Sequence, residues 1–242
     1  MDIRIAVSKI NKYASPDSGD TIEVVERPNG GLYVVLADGQ TTGQEAKLIS
    51  SLVVHKVINL LAEGVRDGVA ARAASDFLFS ERNGQASATL NILSVDLQTN
   101  TLVLCRNNSA PVFIVTRNRI YCLGSESLPI GNARNTRPTI SELPLEVGLT
   151  IIMYTDGLLN AGSRYGKTLD VCMTLEALMM DLDSSQEDYP SPQSIADALL
   201  AHACRLDEGR PEDDISIVVL RSMERNNDGI RRMTINLPVV IG

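Results

Sequence analysis

The sequence contains no tryptophan and only two histidines, and its four cysteines are widely spaced. Cys105, Cys122, Cys172 and Cys204 form no close pair, so neither zinc-knuckle spacing nor a disulfide framework is indicated. Zinc sites are built mainly from Cys and His, which makes this chain a poor candidate for zinc. Free thiols are typical of a reducing compartment, and we therefore expect a cytoplasmic protein.

Long apolar runs and an excess of positive charge are also missing. The longest apolar runs fall far short of the roughly 20 residues that span a bilayer. Residues 1–7 alternate polar and apolar positions instead of placing a cationic segment before an apolar core, so no export signal is expected. The formal net charge of −8 disfavours polyanionic partners. We expect a soluble protein with no nucleic acid and no membrane partner.

The chain does have enough apolar residues for a large core. With 242 residues and 44% hydrophobic content, it can form one large domain, which we place at residues 1–222. Alternating patterns predict strands over about 2–8, 21–26, 32–37, 87–96, 101–106, 111–116, 149–155 and 214–221. Helical periodicity predicts helices over about 43–61, 67–79, 170–182 and 194–206. On the first of these helices, Leu48, Leu52 and Ile58 are expected to widen the buried apolar face. The periodicity alone indicates mixed α and β structure with much antiparallel sheet.

Three local signals accompany these elements. Thr42 and Glu45 have capping-box spacing, which predicts that the first helix begins shortly after Asp38-Gly39. The polar, proline-containing segment 183–192 predicts a surface loop and not a domain boundary. Residues 223–242 form a C-terminal extension in which 233–241 predict an additional strand. An edge strand of the same domain is favoured over a dimer or partner contact.

Two apolar strands end in the same way. The run Leu149 to Tyr154 leads to Asp156-Gly157, and the run Leu32 to Ala37 leads to Asp38-Gly39. A buried carboxylate costs several kcal/mol unless it is paired or bound to a cation. A shared metal site would explain both strand ends, although either Asp-Gly pair alone is also typical of a simple turn.

Further carboxylates lie next to two other predicted strands. Gly19-Asp20 precedes the second strand, and Asp213-Asp214 precedes the last one. Carboxylate oxygens are the ligands that Mg²⁺ and Mn²⁺ prefer. Without cations, clustered carboxylates would repel one another. Metal binding should therefore stabilise the fold.

The ordered set resembles the PPM (type-2C) metal-dependent serine/threonine phosphatases, and most closely their bacterial SpoIIE/RsbU/RsbX branch. Two intermediate landmarks agree, namely Leu128-Pro129-Ile130-Gly131 and the pair Asn107 with Pro111. The resemblance covers roughly residues 3–222. It implies an α+β fold, a four-layer α/β/β/α sandwich of two mainly antiparallel sheets flanked by helix pairs.

The resemblance also implies the chemistry. In this family two Mn²⁺ or Mg²⁺ ions hold a water that attacks phosphorus. By position in the motifs, Asp38 would bridge both ions and the carbonyl of Gly39 would bind one of them. Asp156 and Asp213 would complete the first metal site, and Asp20 would serve the second. Asp38, Asp156 and Asp213 would thus be catalytic through the metal-bound water, while Asp214 would have a capping role at most.

The implied function is hydrolysis of phosphoserine or phosphothreonine on a phosphorylated bacterial regulatory protein, with an anti-sigma-factor antagonist as the expected substrate. A homodimer is left open. One alternative is a non-catalytic pseudo-phosphatase that acts as a binding module in a partner-switching pathway. Another is a hydrolase of small phosphate esters or nucleotides.

The sequence departs from the family pattern in the loop after Asp38-Gly39. Gln40-Thr41-Thr42-Gly43 stands where the branch often has Met-Gly-x-Gly or Ser-Gly-His-Gly. This departure and the C-terminal extension are the two features that favour the non-catalytic alternative.

The phosphate-binding arginine of eukaryotic relatives has no assignable match in this chain. Arg4, Lys9 and Lys12 are interpreted as surface charges. His55 and His202 fall on predicted helices and are not expected to act as acid or base.

Overall fold

Ten strands form two antiparallel five-stranded sheets in the described part of the computed structural model, which comprises residues 1–116, 119–124, 126–180, 189–224, 230 and 232–236. The strands are β1 (Asp2–Ile10), β2 (Asp20–Glu26), β3 (Gly31–Gly39), β4 (Ala88–Asp96), β5 (Thr101–Asn107), β6 (Val112–Thr116), β7 (Arg119–Leu123), β8 (Thr139–Pro144), β9 (Thr150–Tyr154) and β10 (Ile215–Met223). One sheet has the order β1-β10-β9-β6-β7 and the other the order β2-β3-β4-β5-β8.

The helices form the outer layers. They are α1 (Gly43–Ala62), α2 (Asp67–Arg82), α3 (Asp156–Asn160), α4 (Val171–Met180) and α5 (Pro192–Leu206), with a 3-10 turn over Ser163–Tyr165. The first two pack on the β2–β8 sheet, whereas α5 packs on β1 and β10 of the other sheet and contacts α4. Within the described ranges, every helix is too short or too polar to cross a bilayer.

Strand periodicity builds the four layers. Along β3, Val34 and Leu36 point into the layer between the sheets, while Val35 and Ala37 point toward α1. The last strand does the same, since Val218 belongs to the central layer and its neighbours face the helices on the other side. Side chains that alternate between two apolar layers explain why these strands are apolar almost throughout. The predicted four-layer α/β/β/α sandwich is confirmed.

The eight predicted strands and four predicted helices all have counterparts, and the structure adds β7, β8 and α3. The added strands lie at the edges of the two sheets. Positions in β7 are mostly exposed, and β8 alternates between exposed and half-buried positions. Their apolar signal is weak because each of them has only one neighbouring strand.

Two local predictions are wrong, and a third is covered only in part by the described residues. Thr42 is the N-cap residue of α1, but within the described part of the chain its side chain makes no capping hydrogen bond, so the capping box is not formed. Leu48 was expected to widen the buried face of this helix, yet it is 61% exposed. The described residues 232–236 form no strand and are exposed, while the rest of the predicted tail strand lies outside the described residues.

The central layer should carry much of the stability. Leu36 is fully buried there, and Leu36→Ala should lower the free energy of unfolding by about 2–5 kcal/mol through lost burial and the cavity left behind. The matched surface change Leu48→Ala should alter it by no more than about 0.5 kcal/mol. Chemical denaturation of both variants measures the difference. Equal losses would contradict the assignment of Leu36 to the core.

Candidate functional site

The β2–β3 register places two aspartates side by side. Asp20 is the first residue of β2 and lies directly opposite Asp38, near the end of β3. Residues opposite each other in an antiparallel pair have Cβ atoms roughly 5 Å apart, where like charges destabilise the sheet. The antiparallel pairing therefore places two carboxylates next to each other. Their repulsion destabilises the sheet unless another interaction compensates for it.

The other sheet supplies the second pair of aspartates. Asp156 begins α3 just after β9 ends, and Asp213 lies just before β10 begins. A Cβ atom on Gly157 would lie 2.2 Å from the carbonyl oxygen of Asp214 and 3.3 Å from the Cβ of Asp213. Glycine is required here because the start of α3 packs directly against the loop that carries Asp213.

Thr155 connects the two sheets at this point. Its hydroxyl donates to Oδ2 of Asp20 at 3.0 Å and accepts from the backbone N–H of Ser216 at 3.0 Å. Its side chain is fully buried. Thr155 therefore fixes the orientation of the Asp20 carboxylate relative to the end of β9. Sequence reasoning missed this role because the motif drew attention only to the following Asp-Gly.

Asp214 has a capping role. Its carboxylate accepts the backbone N–H of Lys12 at 2.9 Å and that of Gly19 at 2.8 Å. These bonds fasten the β1–β2 loop to the residue before β10. The expectation of a capping function, and not of a ligand, agrees with this geometry.

The β3–α1 loop closes the site from the side of α1. A Cβ atom on Gly39 would lie 2.2 Å from the carbonyl oxygen of Ala46, so the first turn of α1 packs against the backbone after Asp38. The side-chain amide of Gln40 donates to Oδ2 of Asp38 at 2.6 Å. The backbone N–H of Thr41 donates to the carbonyl of Gly39 at 2.8 Å.

The pKa values of the aspartates show that their carboxyl groups lie close enough to influence one another. Burial, together with the charges of Asp20, Asp156 and Asp213, raises the pKa of Asp38 to about 9. Burial is also the main reason that the pKa of Asp20 is raised to about 7, although Ser216, Lys9 and Thr155 act in the opposite direction. Burial is likewise the main reason that the pKa of Asp213 is raised. The structure thus brings together the four aspartates that the sequence singled out.

Two lysines approach the same place. The ammonium groups of Lys9 and Lys47 both donate to the backbone carbonyl of Asp20, at 2.8 Å and 2.9 Å. Burial and the nearby Lys47 lower the pKa of Lys9. Lys9 is exposed, as expected of a surface charge, but its ammonium group is held against the Asp20 carbonyl. Lys47 was not singled out, although its position one turn into α1 follows from the predicted helix start.

The remaining candidates lie elsewhere. His55 is exposed on α1, and the ring of His202 pairs with the hydroxyl of Thr174 at 3.2 Å. Asn107 donates to the carbonyl of Leu128 at 3.0 Å, so it links the two intermediate landmarks and holds a loop in place.

The chemistry of the site fits a divalent cation. Oδ1 of Asp20 is buried and has no hydrogen-bond partner among the described residues, which is costly for a carboxylate oxygen. The available donors are oxygens, as Mg²⁺ and Mn²⁺ prefer. In the described ranges, however, no three His, Cys, Asp or Glu side chains are arranged to hold an ion as they stand. The residues that could hold such an ion are Asp20, Asp38, Asp156, Asp213 and, through its carbonyl, Gly39.

Known proteins share this fold and sequence pattern. Residues 28–222 match the family model described as stage II sporulation protein E (SpoIIE). Over 204 residues the chain is 25% identical to stage II sporulation protein E of Bacillus subtilis (strain 168), an alignment that covers 84% of this chain and 24% of that protein. The chain therefore spans about a quarter of the length of this curated relative.

Solved structures agree on the architecture. The PP2C phosphatase domain of SpoIIE from Bacillus subtilis, solved with a fragment of its regulatory domain, has a TM-score of 0.73 and 22% identity, covering 91% of this chain and 63% of that chain. The catalytic domain of the serine threonine protein phosphatase PstP in complex with two manganese ions has a TM-score of 0.69 and 15% identity, covering 92% of this chain and 99% of that chain. The fold is that of the PP2C phosphatases. Because the family model matches most of this chain, the chain belongs to the stage II sporulation protein E (SpoIIE) family.

Proposed function

We propose that this chain is a metal-dependent protein serine/threonine phosphatase. The observation that carries the proposal is the cluster of Asp20, Asp38, Asp156 and Asp213, in which two carboxylates are paired across adjacent strands. A protein that did not bind cations would gain nothing from this repulsion. Membership of the SpoIIE family and the manganese-bound structure of a protein with this fold support the same reading.

Each residue has a distinct part in the proposed site. Asp38 would lie between two Mn²⁺ or Mg²⁺ ions, with the carbonyl of Gly39, Asp156 and Asp213 on one side and Asp20 on the other. When bound, the ions would supply an activated water and neutralise charge on the phosphoryl group.

The residues around the aspartates hold them in place. Thr155 orients Asp20, and Asp214 holds the loop that leads into β2. Lys9 and Lys47 place positive charge behind the Asp20 peptide group, which favours the ionised carboxylate.

The proposed substrate is a phosphoserine or phosphothreonine on a bacterial regulatory protein, with an anti-sigma-factor antagonist as the specific candidate. Family membership supports a regulatory role, and we propose that the protein works in the cytoplasm. A homodimer is compatible with this scheme.

A non-catalytic binding module is the second candidate. It is favoured by the hydrogen bond from Gln40 to Asp38 and by the absence, among the described residues, of three acidic side chains poised around one point. Against it, all four aspartates are retained, whereas a chain released from catalysis has no physical reason to keep a destabilising cluster. The enzyme is therefore the proposal.

Activity should depend on manganese and on the clustered aspartates. We expect the protein to hydrolyse p-nitrophenyl phosphate and phosphoserine peptides at millimolar Mn²⁺. Asp38→Asn and Asp156→Asn should lower kcat/KM by at least about 100-fold, because each removes a metal-binding charge. Release of phosphate across a Mn²⁺ titration measures the effect.

Asp17→Asn is the matched control for this assay. Asp17 lies in the loop before β2 but is not among the charges that act on Asp38. This variant should keep wild-type activity. Equal inactivity of the wild type and both site variants would contradict the phosphatase proposal, and hydrolysis of small esters alone would contradict a protein substrate.

Without metal, stability should fall as the pH rises. The pKa of Asp38 is 3.8 in an ordinary setting and about 9 in the folded protein, so the folded state holds a proton that the unfolded state has lost. Between these pH values the folded state binds more protons, and the free energy of unfolding decreases with increasing pH. Asp38→Asn should flatten this dependence. Thermal unfolding in a chelator from pH 5 to pH 9 measures it.

Manganese binding should restore the stability that the metal-free protein loses at high pH. At about 100 times its dissociation constant, a cation adds roughly 2.7 kcal/mol, which corresponds to a rise in Tm of about 5–10 °C for a protein of this size. The rise should be much smaller in Asp38→Asn. A wild-type Tm that does not respond to Mn²⁺ at pH 8 would count against the metal site.

A further inference from the structure

In the loop between β3 and α1, the oxygen atoms that the proposed function assigns to metal binding already accept hydrogen bonds. Oδ2 of Asp38 accepts the side-chain amide of Gln40 at 2.6 Å. The carbonyl oxygen of Gly39 accepts the N–H of Thr41 at 2.8 Å. The two residues that follow Asp38-Gly39 therefore donate hydrogen bonds to both candidate ligands of the loop.

The backbone holds Gln40 in position to do this. Its N–H donates to the carbonyl of Ser87 at 2.9 Å, which ties the loop to the start of β4. On the other side, Gly39 packs against the carbonyl of Ala46 in the first turn of α1. With the backbone restrained at both ends, the Gln40 contact can be released by rotation of the side chain. Because Gln40 is exposed, its amide can turn to water without leaving a buried group unsatisfied.

Asp20 and Asp38 differ in how their oxygens are occupied. Thr155 binds one oxygen of Asp20 and leaves the other buried and without a partner among the described residues. Asp20 can therefore receive an ion without breaking a hydrogen bond. Asp38 would serve both ions of the proposed site, and one of its oxygens is already hydrogen-bonded to Gln40.

We propose that Gln40 competes with divalent cations for the Asp38 carboxylate and thereby lowers the affinity of the site for metal. The inference rests on the proposed metal site. It assigns a role to the residue at which this chain departs from the Met-Gly-x-Gly pattern.

The test compares manganese affinities of the whole chain by calorimetry, with Gln40→Ala beside the wild type. A net hydrogen bond contributes roughly 0.5–1.5 kcal/mol, so its loss should tighten Mn²⁺ binding by about two- to twelvefold. Gln40→Met, which keeps the length of the side chain but has no donor, should tighten binding to a similar extent. This second variant separates the hydrogen bond from the bulk of the side chain.

Gln44→Ala is the control for the same region. Gln44 has the same side chain and is exposed in the first turn of α1, so its loss should leave Mn²⁺ affinity unchanged. Unchanged Mn²⁺ binding in Gln40→Ala would overturn the inference. Weaker Mn²⁺ binding in this variant would also overturn it, because Gln40 would then be a metal ligand and not a competitor. If the wild type binds Mn²⁺ and hydrolyses phosphoserine peptides while Gln40→Ala binds no tighter, this inference alone fails. If neither protein binds Mn²⁺ or hydrolyses phosphate, the proposed function fails with it.

Discussion

The opposition of Asp20 and Asp38 across the β2–β3 ladder is the constraint on which the rest of the site depends. It is fixed by register, because a shift of one residue would turn every side chain of β2 to the other face of the sheet. The apolar residues of β3 prevent such a shift, since Val34 and Leu36 must face the central layer. The hydrophobic pattern that folds the sheet thus also holds two repelling carboxylates together.

The surrounding structure keeps this repulsion tolerable. The two sheets share an apolar central layer, and each is covered on its outer face by helices. Around the aspartates, hydrogen bonds within the protein replace hydrogen bonds to water. Thr155 holds Asp20, Asp214 holds the preceding loop, and Gln40 holds Asp38. These contacts stabilise the positions of the carboxylates, and none of the three brings a positive charge to them.

Much of this could be predicted from the sequence, because it lies in strong local patterns. Buried strands that end in Asp-Gly identified Asp38 and Asp156, and the order of the aspartates suggested the four-layer sandwich that the structure has. The strands β7 and β8 escaped prediction because edge strands bury little apolar surface. Thr155, Lys47 and the contact of Gln40 escaped for another reason. Their roles come from tertiary neighbours more than 20 residues away or from the rotamer of one side chain, and neither leaves a periodic signal.

The contrast between Thr155 and Gln40 bears on how such a site is tuned. Thr155 is buried and its hydroxyl has partners on two strands, so it cannot turn away from Asp20 without leaving buried groups unsatisfied. Gln40 is exposed and makes one side-chain bond, so its amide can exchange Asp38 for water at little cost. One carboxylate is therefore permanently oriented, and the other is held by a contact that can be released. In the proposed metal site, affinity for the cation would then depend on the residue that follows Asp38-Gly39.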